Sequence, residues 1–511
     1  MKRRESSGRD FKGACGVLTW LLLSACEPSL LLEQRFTQDP SSLGSQPGSG
    51  GQTPTGGNGS QGDPSQQDQP EEAPQEEGAN GAPQAPRDWY VSMRGSDVGR
   101  GTNASPLRTI ARAATLARPG DTIRLMQGTY AEQVVLESRG AGAAPITLRG
   151  EGTARPTVTP ASRAPGAVIF VRGNWHLENL HVDVNEAPMA AIVFHVGADG
   201  ARLTNSELRD GRAGAGVIIQ GARNVTLEDN VIHHFIKPGD DSHGVVVVGP
   251  SRNTTIRNNN IHHNSGDSVQ CQAGSEAAET LLVQGNELHD NGENGVDIKQ
   301  CYGVTVRDNQ IYGFPNPTVR AVGTSAGEAV LISRGARDVL IQGNDISRAG
   351  RGISVLAQVA APQNIRLEGN TIQNIRNFPA HNGQGIRIAG GSNVLVADNV
   401  IEGTTSYGLM LAADGIVVPG LTVRHNRVRP GPNQLLLRLG REAYRPGLSM
   451  SQNHYGRNGA LSMDGVQDKF RGRFADYRDL FVGEHLPLSS ASRMDVWRLV
   501  IGVDQGSDLL E

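Results

Sequence analysis

The chain has 511 residues, 65 of them glycine and 27 proline, with only 4% aromatic residues, so its length allows several domains but its composition is too poor in aromatics for several ordinary cores. A formal net charge of −4 gives no electrostatic case for nucleic acid as a partner. What remains is one elongated repeat structure with tails.

Residues 1–26 begin with Lys2, Arg3, Arg4, Arg9 and Lys12, continue as an apolar run from Ala14 to Leu23, and end in small residues, the pattern of an export signal too short to stay as a spanning helix. Leu23-Ser24-Ala25-Cys26 resembles the bacterial lipobox. That resemblance implies a lipidated Cys26, a membrane as partner and a place in the cell envelope or at the cell surface; the other reading is an ordinary signal with a chance cysteine. Residues 27–87 are expected to be a disordered acidic tether, since from about Pro40 to Pro86 they are Gly, Ser, Gln, Pro and acid with almost no large apolar residue.

Ordered character starts at Asp88. Ser105 is expected to cap a helix that has Pro106 at its first position and Leu107, Ile110, Ala114 and Ala117 on one face, until Pro119-Gly120 stops it. Such a helix would cover the open strand edges at one end of a coil.

From about Ala144 the phrase apolar-x-x-Asn-x-apolar recurs, with its asparagine at 230, 259, 286, 309, 344, 370, 399 and 426. A unit of this size holding a strand, a turn and a second strand cannot bury its own apolar face, so the units must stack. The predicted fold is therefore all-β, a right-handed parallel β-helix of about ten turns over residues 88–430, with residues 431–511 as a C-terminal cap. Asparagine suits a sharp corner because it tolerates left-handed backbone angles, and its amide both donates and accepts between turns. In Val296-Asp297-Ile298-Lys299 the alternation puts Val and Ile inside and Asp and Lys outside.

The succession Trp89-Tyr90-Val91-Ser92, Gly95-Ser96-Asp97, Gly128-Thr129-Tyr130 and Pro145-Ile146-Thr147-Leu148, followed by the repeats, resembles secreted β-helix proteins of the pectate-lyase-like superfamily, polysaccharide lyase family 9 in particular. The resemblance implies an acidic polysaccharide as partner, β-elimination as the reaction and Ca²⁺ as the cofactor. No motif implies an organic cofactor, and a monomer is expected.

Neighbouring turns carry Asp240-Asp241-Ser242-His243, His262-His263 with Asp267, Glu293-Asn294-Gly295-Val296-Asp297 with Lys299, and Glu328 through Arg334. Stacking brings such loops together, and a column of acids needs a cation or a partner. Glu293-Asn294-Gly295-Val296-Asp297 fits the family's metal phrase with substitutions, which makes Asp267, Glu293, Asn294 and Asp297 the candidate Ca²⁺ ligands; the alternative is a set of ordinary turn residues. The family's catalytic base is a lysine on the next turn, where this chain has Leu331. Lys299, Arg334 and His243 are the replacement candidates, and Asp240, Asp241 and His263 the candidate substrate-binding residues. Cys271 and Cys301 either pair as a disulfide or stay as two buried thiols. The histidines after the asparagines form either a polar ladder or a metal- or sugar-binding row. Two functions remain open: a lyase, or a non-catalytic glycan-binding or structural surface protein.

Overall fold

The computed structural model describes residues 85–138, 144–320, 325–377, 382–412, 415–444, 447–469 and 471–510. The predicted signal with Cys26, and nearly all of the tether, lie outside the described residues.

Among the described residues, three sheets of 14 strands each form the coil. Sheet I begins at Asp88–Val91, sheet II at Thr129–Ala131 and sheet III at Val134–Glu137. Every turn visits them in the same order, as in Thr226–Glu228, Val231–His233 and His243–Val248, before returning to sheet I at Arg252–Arg257. The pairing is parallel throughout, except where His485–Pro487 closes sheet III antiparallel to Ala460–Met463. Two strands per unit are expected from the spacing, and the structure has three. The recurrent phrase accounts for the extra one, because its asparagine is a corner that splits the phrase between Thr226–Glu228 of sheet I and Val231–His233 of sheet II.

Those asparagines form a continuous buried ladder. Each Nδ2 donates to the Oδ1 of the next, with Asn230 to Asn259 at 2.9 Å, Asn259 to Asn286 at 3.0 Å and Asn286 to Asn309 at 3.0 Å, and so on to Asn453. The left-handed backbone expected of the asparagine falls instead on the residue before it, at Asp229 (φ 57°), Asn258 (φ 55°) and Gly285 (φ 65°). The asparagine is thereby free to point its amide inward, where it meets carbonyls such as Leu227 O and Ile256 O.

The coil is longer than the predicted ten turns. Leu435–Leu439, Ser449–Ser451, His454–Gly456 and Ala460–Met463 add further strands, and Asn453, in the phrase Met450-Ser-Gln-Asn453-His-Tyr455, extends the ladder past Asn426. A helix, Ala491–Ile501, ends at Gly502 in the left-handed region (φ 73°) and delivers Asp504 to the end of the ladder. There the carboxylate accepts from Asn453 Nδ2, Tyr455 Oη and Trp497 Nε1, each at 3.0 Å.

At the other end the helix is shorter than expected, Ile110–Leu116, and its cap is Thr109, not Ser105. The Thr109 hydroxyl accepts the Arg112 N–H at 3.1 Å and donates to Asp97 at 2.9 Å. Ser105-Pro106-Leu107 cannot join the helix because Leu107 is held extended, its N–H on Tyr90 O at 2.8 Å. Leu107, Ile110, Ala113 and Ala114 are buried, as the amphipathic pattern requires of a lid.

Cys271 and Cys301 are joined in a disulfide, with Cα atoms 6.3 Å apart. The register pairs Cys271 with Ile298, so Cys301 lies three residues further along, past the left-handed corner at Gln300 (φ 55°). That corner brings a residue outside the strand back into the core, where both cysteines are fully buried.

Candidate acidic site on sheet III

Sheet III carries the chemistry because its strands start at the ends of the longest loops. Its register stacks Gln270, Asp297 and Leu331 in one outward column and Gln272, Lys299 and Ser333 in another. Backbone hydrogen bonds at the strand starts, Gly244 N to Asp267 O, Ser268 N to Asn294 O and Gly295 N to Glu328 O, stack His243, Asp267, Asn294 and Glu328 in a third. Val296 and Ile298 face the core and Asp297 and Lys299 face away, yet Asp297 is only 2% exposed because the loops crowd over it.

Asp267 is completely buried and fully engaged. Its Oδ1 accepts the Asn294 N–H at 3.0 Å and Nδ2 at 2.9 Å, and its Oδ2 accepts Gln270 Nε2 at 2.9 Å. Burial pushes its pKa up, but His243, Lys299 and the Gln270 amide outweigh burial and hold it below the usual carboxylate value. The His243 ring lies alongside, its Nδ1 2.9 Å from the Asp267 N–H and 3.2 Å from Asp267 Oδ2.

Asp297 behaves oppositely. Burial first, then the Asp267 charge, push its carboxyl up to about 6, against the pull of Lys299. Lys299 Nζ lies 2.8 Å from Asp297 Oδ2, while Asp297 Oδ1 is buried with no hydrogen-bond partner. Burial works against the Lys299 charge as well, but Asp297, Asp267 and Glu293 outweigh it and hold the ammonium's pKa above the ordinary lysine value. Glu293 is raised well above the carboxylate range by burial and by Asp267 and Asp297.

A stability test follows from Asp297. Its folded pKa of about 6 exceeds the ordinary value of 3.8, so the contribution of Asp297 to stability falls as pH rises through that window and holds level above it. The stability of Asp297→Asn relative to wild type should therefore improve between pH 4 and pH 6 in chemical denaturation. A gap that stays constant over this range would mean that Asp297 ionises freely in the folded chain.

The structure distributes the other predicted residues unevenly. Asp241 and Glu293 meet at Arg320, whose Nη1 is ion-paired with Asp241 Oδ1 and lies 3.3 Å from Glu293 Oε2. Asp240 is instead paired with Lys237 in its own loop. Asn294 ties the column together: its Oδ1 accepts the Glu328 N–H at 2.9 Å and Ser325 Oγ at 3.2 Å, and its Nδ2 donates to Asp267 at 2.9 Å. Arg334 is exposed at a left-handed corner (φ 52°) past the strand end, where the chain turns away from the acids' strand. His263 belongs to a stack of histidines at the end of sheet II and not to this site. Leu331 is paired in register with Asp297.

Arg320, Gln270 and Arg351 escape sequence reasoning. Arg351 extends the column, with Nη1 2.6 Å from Glu328 Oε1. A signal for Arg320 exists, since it lies in the 35-residue interval from Asn309 to Asn344, where an insertion must leave the coil.

The donor set fits a divalent cation. A ring nitrogen of His243 and carboxylate oxygens of Asp267 and Glu293 lie within 4.8 Å of one another, and the unpartnered Asp297 Oδ1 is a buried oxygen with nothing to bind. The anionic ligands of the cluster are the carboxylates of Asp267, Glu293 and Asp297; Asp297 Oδ1 is without a hydrogen-bond partner, and a cation would share Asp267 with the Asn294 and Gln270 amides.

A family model described as a right-handed β-helix region matches residues 167–326 and 318–434, just over half of the chain. Pectate lyase PEL9 of Emericella nidulans is 28% identical over 220 residues, 41% of this chain and 49% of its own length. The uncharacterized protein YwoF of Bacillus subtilis (strain 168) is 42% identical over 60 residues, 12% of this chain and 13% of its own length. The chain thus matches half or less of the length of these relatives. Among solved structures, the PL6 family alginate lyase AlyGC is 16% identical with a TM-score of 0.49, covering 69% of this chain and 51% of that one. The Dettilon tailspike protein is 14% identical with a TM-score of 0.48, covering 71% and 65%.

Proposed function

Because the chain belongs to the right-handed β-helix family, we propose that its sheet III site acts on an acidic polysaccharide by Ca²⁺-dependent β-elimination next to a uronate. The observation that carries this reading is the buried, unpartnered Asp297 Oδ1 beside Lys299, within a cluster of three carboxylates on the outward face of a sheet. The similarity to a pectate lyase supports the substrate class.

Asp267, Glu293 and Asp297 would hold the cation. When bound, calcium supplies positive charge that offsets both these acids and the carboxylate of a uronate. Elimination then needs a base for the proton on C5, whose electrons form the C4–C5 double bond as the C4–O bond breaks and the departing oxygen gains a proton. Lys299 is the base. Its ammonium is held by Asp297, Asp267 and Glu293, so it becomes competent only when those charges are answered by something else. Arg320, at the mouth of the cluster beside Asp241 and Glu293, is placed to pair with a substrate carboxylate.

The test is the ultraviolet absorbance of unsaturated uronate ends, measured on pectate, alginate and glycosaminoglycans with Ca²⁺ and with a chelator. A rise that requires Ca²⁺ and disappears in Asp297→Ala supports the reading. No rise on any of them, with saturable polysaccharide binding, would make the protein a binding module in which Leu331 marks the lost base. Calcium binding has its own readout: at about 100 times its Kd, Ca²⁺ should stabilise the wild-type fold by roughly 2.7 kcal/mol and leave Asp297→Ala much less affected.

A further inference from the structure

Five of the chain's 13 histidines fall on three successive turns at the end of sheet II, away from the acids of sheet III. The register places His233, His262 and His289 opposite one another, with Tyr312 next. Their rings stack at 4.9 Å, tilted by 13° between His233 and His262 and by 22° between His262 and His289. The residue after each has left-handed backbone, His234 (φ 57°), His263 (φ 54°) and Asp290 (φ 51°), and forms a second column, in which His234 and His263 stack at 5.4 Å.

This backbone turns each second side chain back onto the first. His233 and His234 face each other through their Nδ1 atoms at 2.5 Å, His262 and His263 likewise at 2.9 Å, and His289 Nδ1 faces Asp290 Oδ2 at 2.8 Å. Stacking explains the columns. It does not explain the facing donor atoms.

The outer nitrogens decide what the inner ones carry. Asn260 Nδ2 donates to Glu287 at 3.0 Å, which turns its Oδ1 toward His289 Nε2 at 3.1 Å. His289 Nε2 therefore donates to Asn260, and its Nδ1 is the atom left to meet Asp290. His233 repeats the pattern, with Nε2 3.3 Å from Glu207 Oε1. An imidazole whose outer N–H is tied to a carboxylate or carbonyl oxygen, and whose inner nitrogen meets further donors, has the arrangement of a metal ligand with its supporting partner.

We propose that His233, His234, His262 and His263, closed off by the His289–Asp290 pair, bind a divalent transition-metal ion of the zinc class at a site separate from the acidic cluster of sheet III. Nitrogens of His233, His234 and His262 already lie within 4.8 Å of one another, and a tetrahedral zinc site with Zn–N bonds near 2.0 Å needs donors roughly 3.3 Å apart. Imidazole nitrogen selects zinc, copper or nickel over calcium, so the two sites divide the available cations by ligand chemistry.

The experiment is titration of the full chain with Zn²⁺ by calorimetry, together with the visible absorption of the Co²⁺-loaded protein. Expected are saturable Zn²⁺ binding that excess Ca²⁺ does not displace, intense Co²⁺ bands of tetrahedral nitrogen ligation, and at least a tenfold weaker Kd in both His234→Ala and His263→Ala. These two rings are the less buried ones, and circular dichroism reports whether each variant keeps the coil. His243→Ala should leave Zn²⁺ affinity unchanged. The proposal is overturned if Zn²⁺ does not bind saturably, if the Co²⁺ spectrum is the pale one of octahedral oxygen ligation, or if His243→Ala removes the binding that His234→Ala and His263→Ala retain.

Discussion

Replacing Lys299 by methionine is expected to slow uronate elimination by at least ~10²-fold, the usual contribution of a positioned general base. The same change should destabilise the fold by about 3 kcal/mol, since removing one partner of a buried pair leaves the other charge uncompensated, here Asp297 at 2% exposure. Methionine keeps most of the stem volume, so packing contributes little. The two effects separate in Lys299→Arg, which retains a cation for Asp297 but offers no base at ordinary pH. Its stability should approach wild type while its rate stays as low as that of Lys299→Met. If either variant depolymerises polysaccharide at the wild-type rate, Lys299 is not the base.

The largest effect on stability is expected at the ladder. Asn309 donates from Nδ2 to Val283 O at 3.0 Å and to Asn344 Oδ1 at 2.9 Å, and its own Oδ1 accepts the N–H and Nδ2 of Asn286 at 2.9 and 3.0 Å. Alanine there strands several buried polar groups in a place water does not reach. At roughly 1–3 kcal/mol for each unsatisfied group, partly relieved by relaxation, Asn309→Ala should cost on the order of 4 kcal/mol. Asn253 also bonds an asparagine of the neighbouring turn, Asn224 at 3.1 Å, but on the exposed side, where water replaces the lost partner. Asn253→Ala should cost about 1 kcal/mol, most of it from placing alanine at a left-handed angle (φ 55°) and little from the lost bond. Denaturation midpoints of the two variants compare these directly, and equal shifts would show that burial does not give the ladder its strength.

How legible these features were in the sequence depends on whether they follow from local pattern. The coil was readable because its asparagine and alternating apolar residues recur turn after turn. The third strand was not, because three-residue strands such as Val231–His233 carry too few residues to show a period, and the corner that isolates them has its left-handed angle one residue ahead of the asparagine. At the site, Asp267, Glu293, Asp297, Lys299 and His243 converge as stacking of adjacent turns requires. Asn294 resembled a ligand by chemistry, and its role as a clamp on Asp267 and Glu328 depends on rotamer and register, which spacing does not reveal. Arg334 fell outside because a single left-handed corner redirects it, while Arg320 arrives from an insertion whose path no repeat predicts. The facing histidines needed both columns and their backbone angles to be seen together.

The ladder also has a direction. From one side chain to the next, every Nδ2 donates to the Oδ1 on its C-terminal side, its other hydrogen going to a carbonyl of the preceding turn, so the amide dipoles of successive turns align and add, as those of peptide groups do along a helix. Its last donor, Asn453 Nδ2, carries the positive end of that sum, and the carboxylate of Asp504 meets it there. The two ends of the coil are therefore chemically unlike. A turn can be added or removed in the middle without changing the sign at either terminus, but a chain cut before Asp504 would end in a bare row of donors with positive polarity, a surface made to capture an anion or the acceptor edge of another chain.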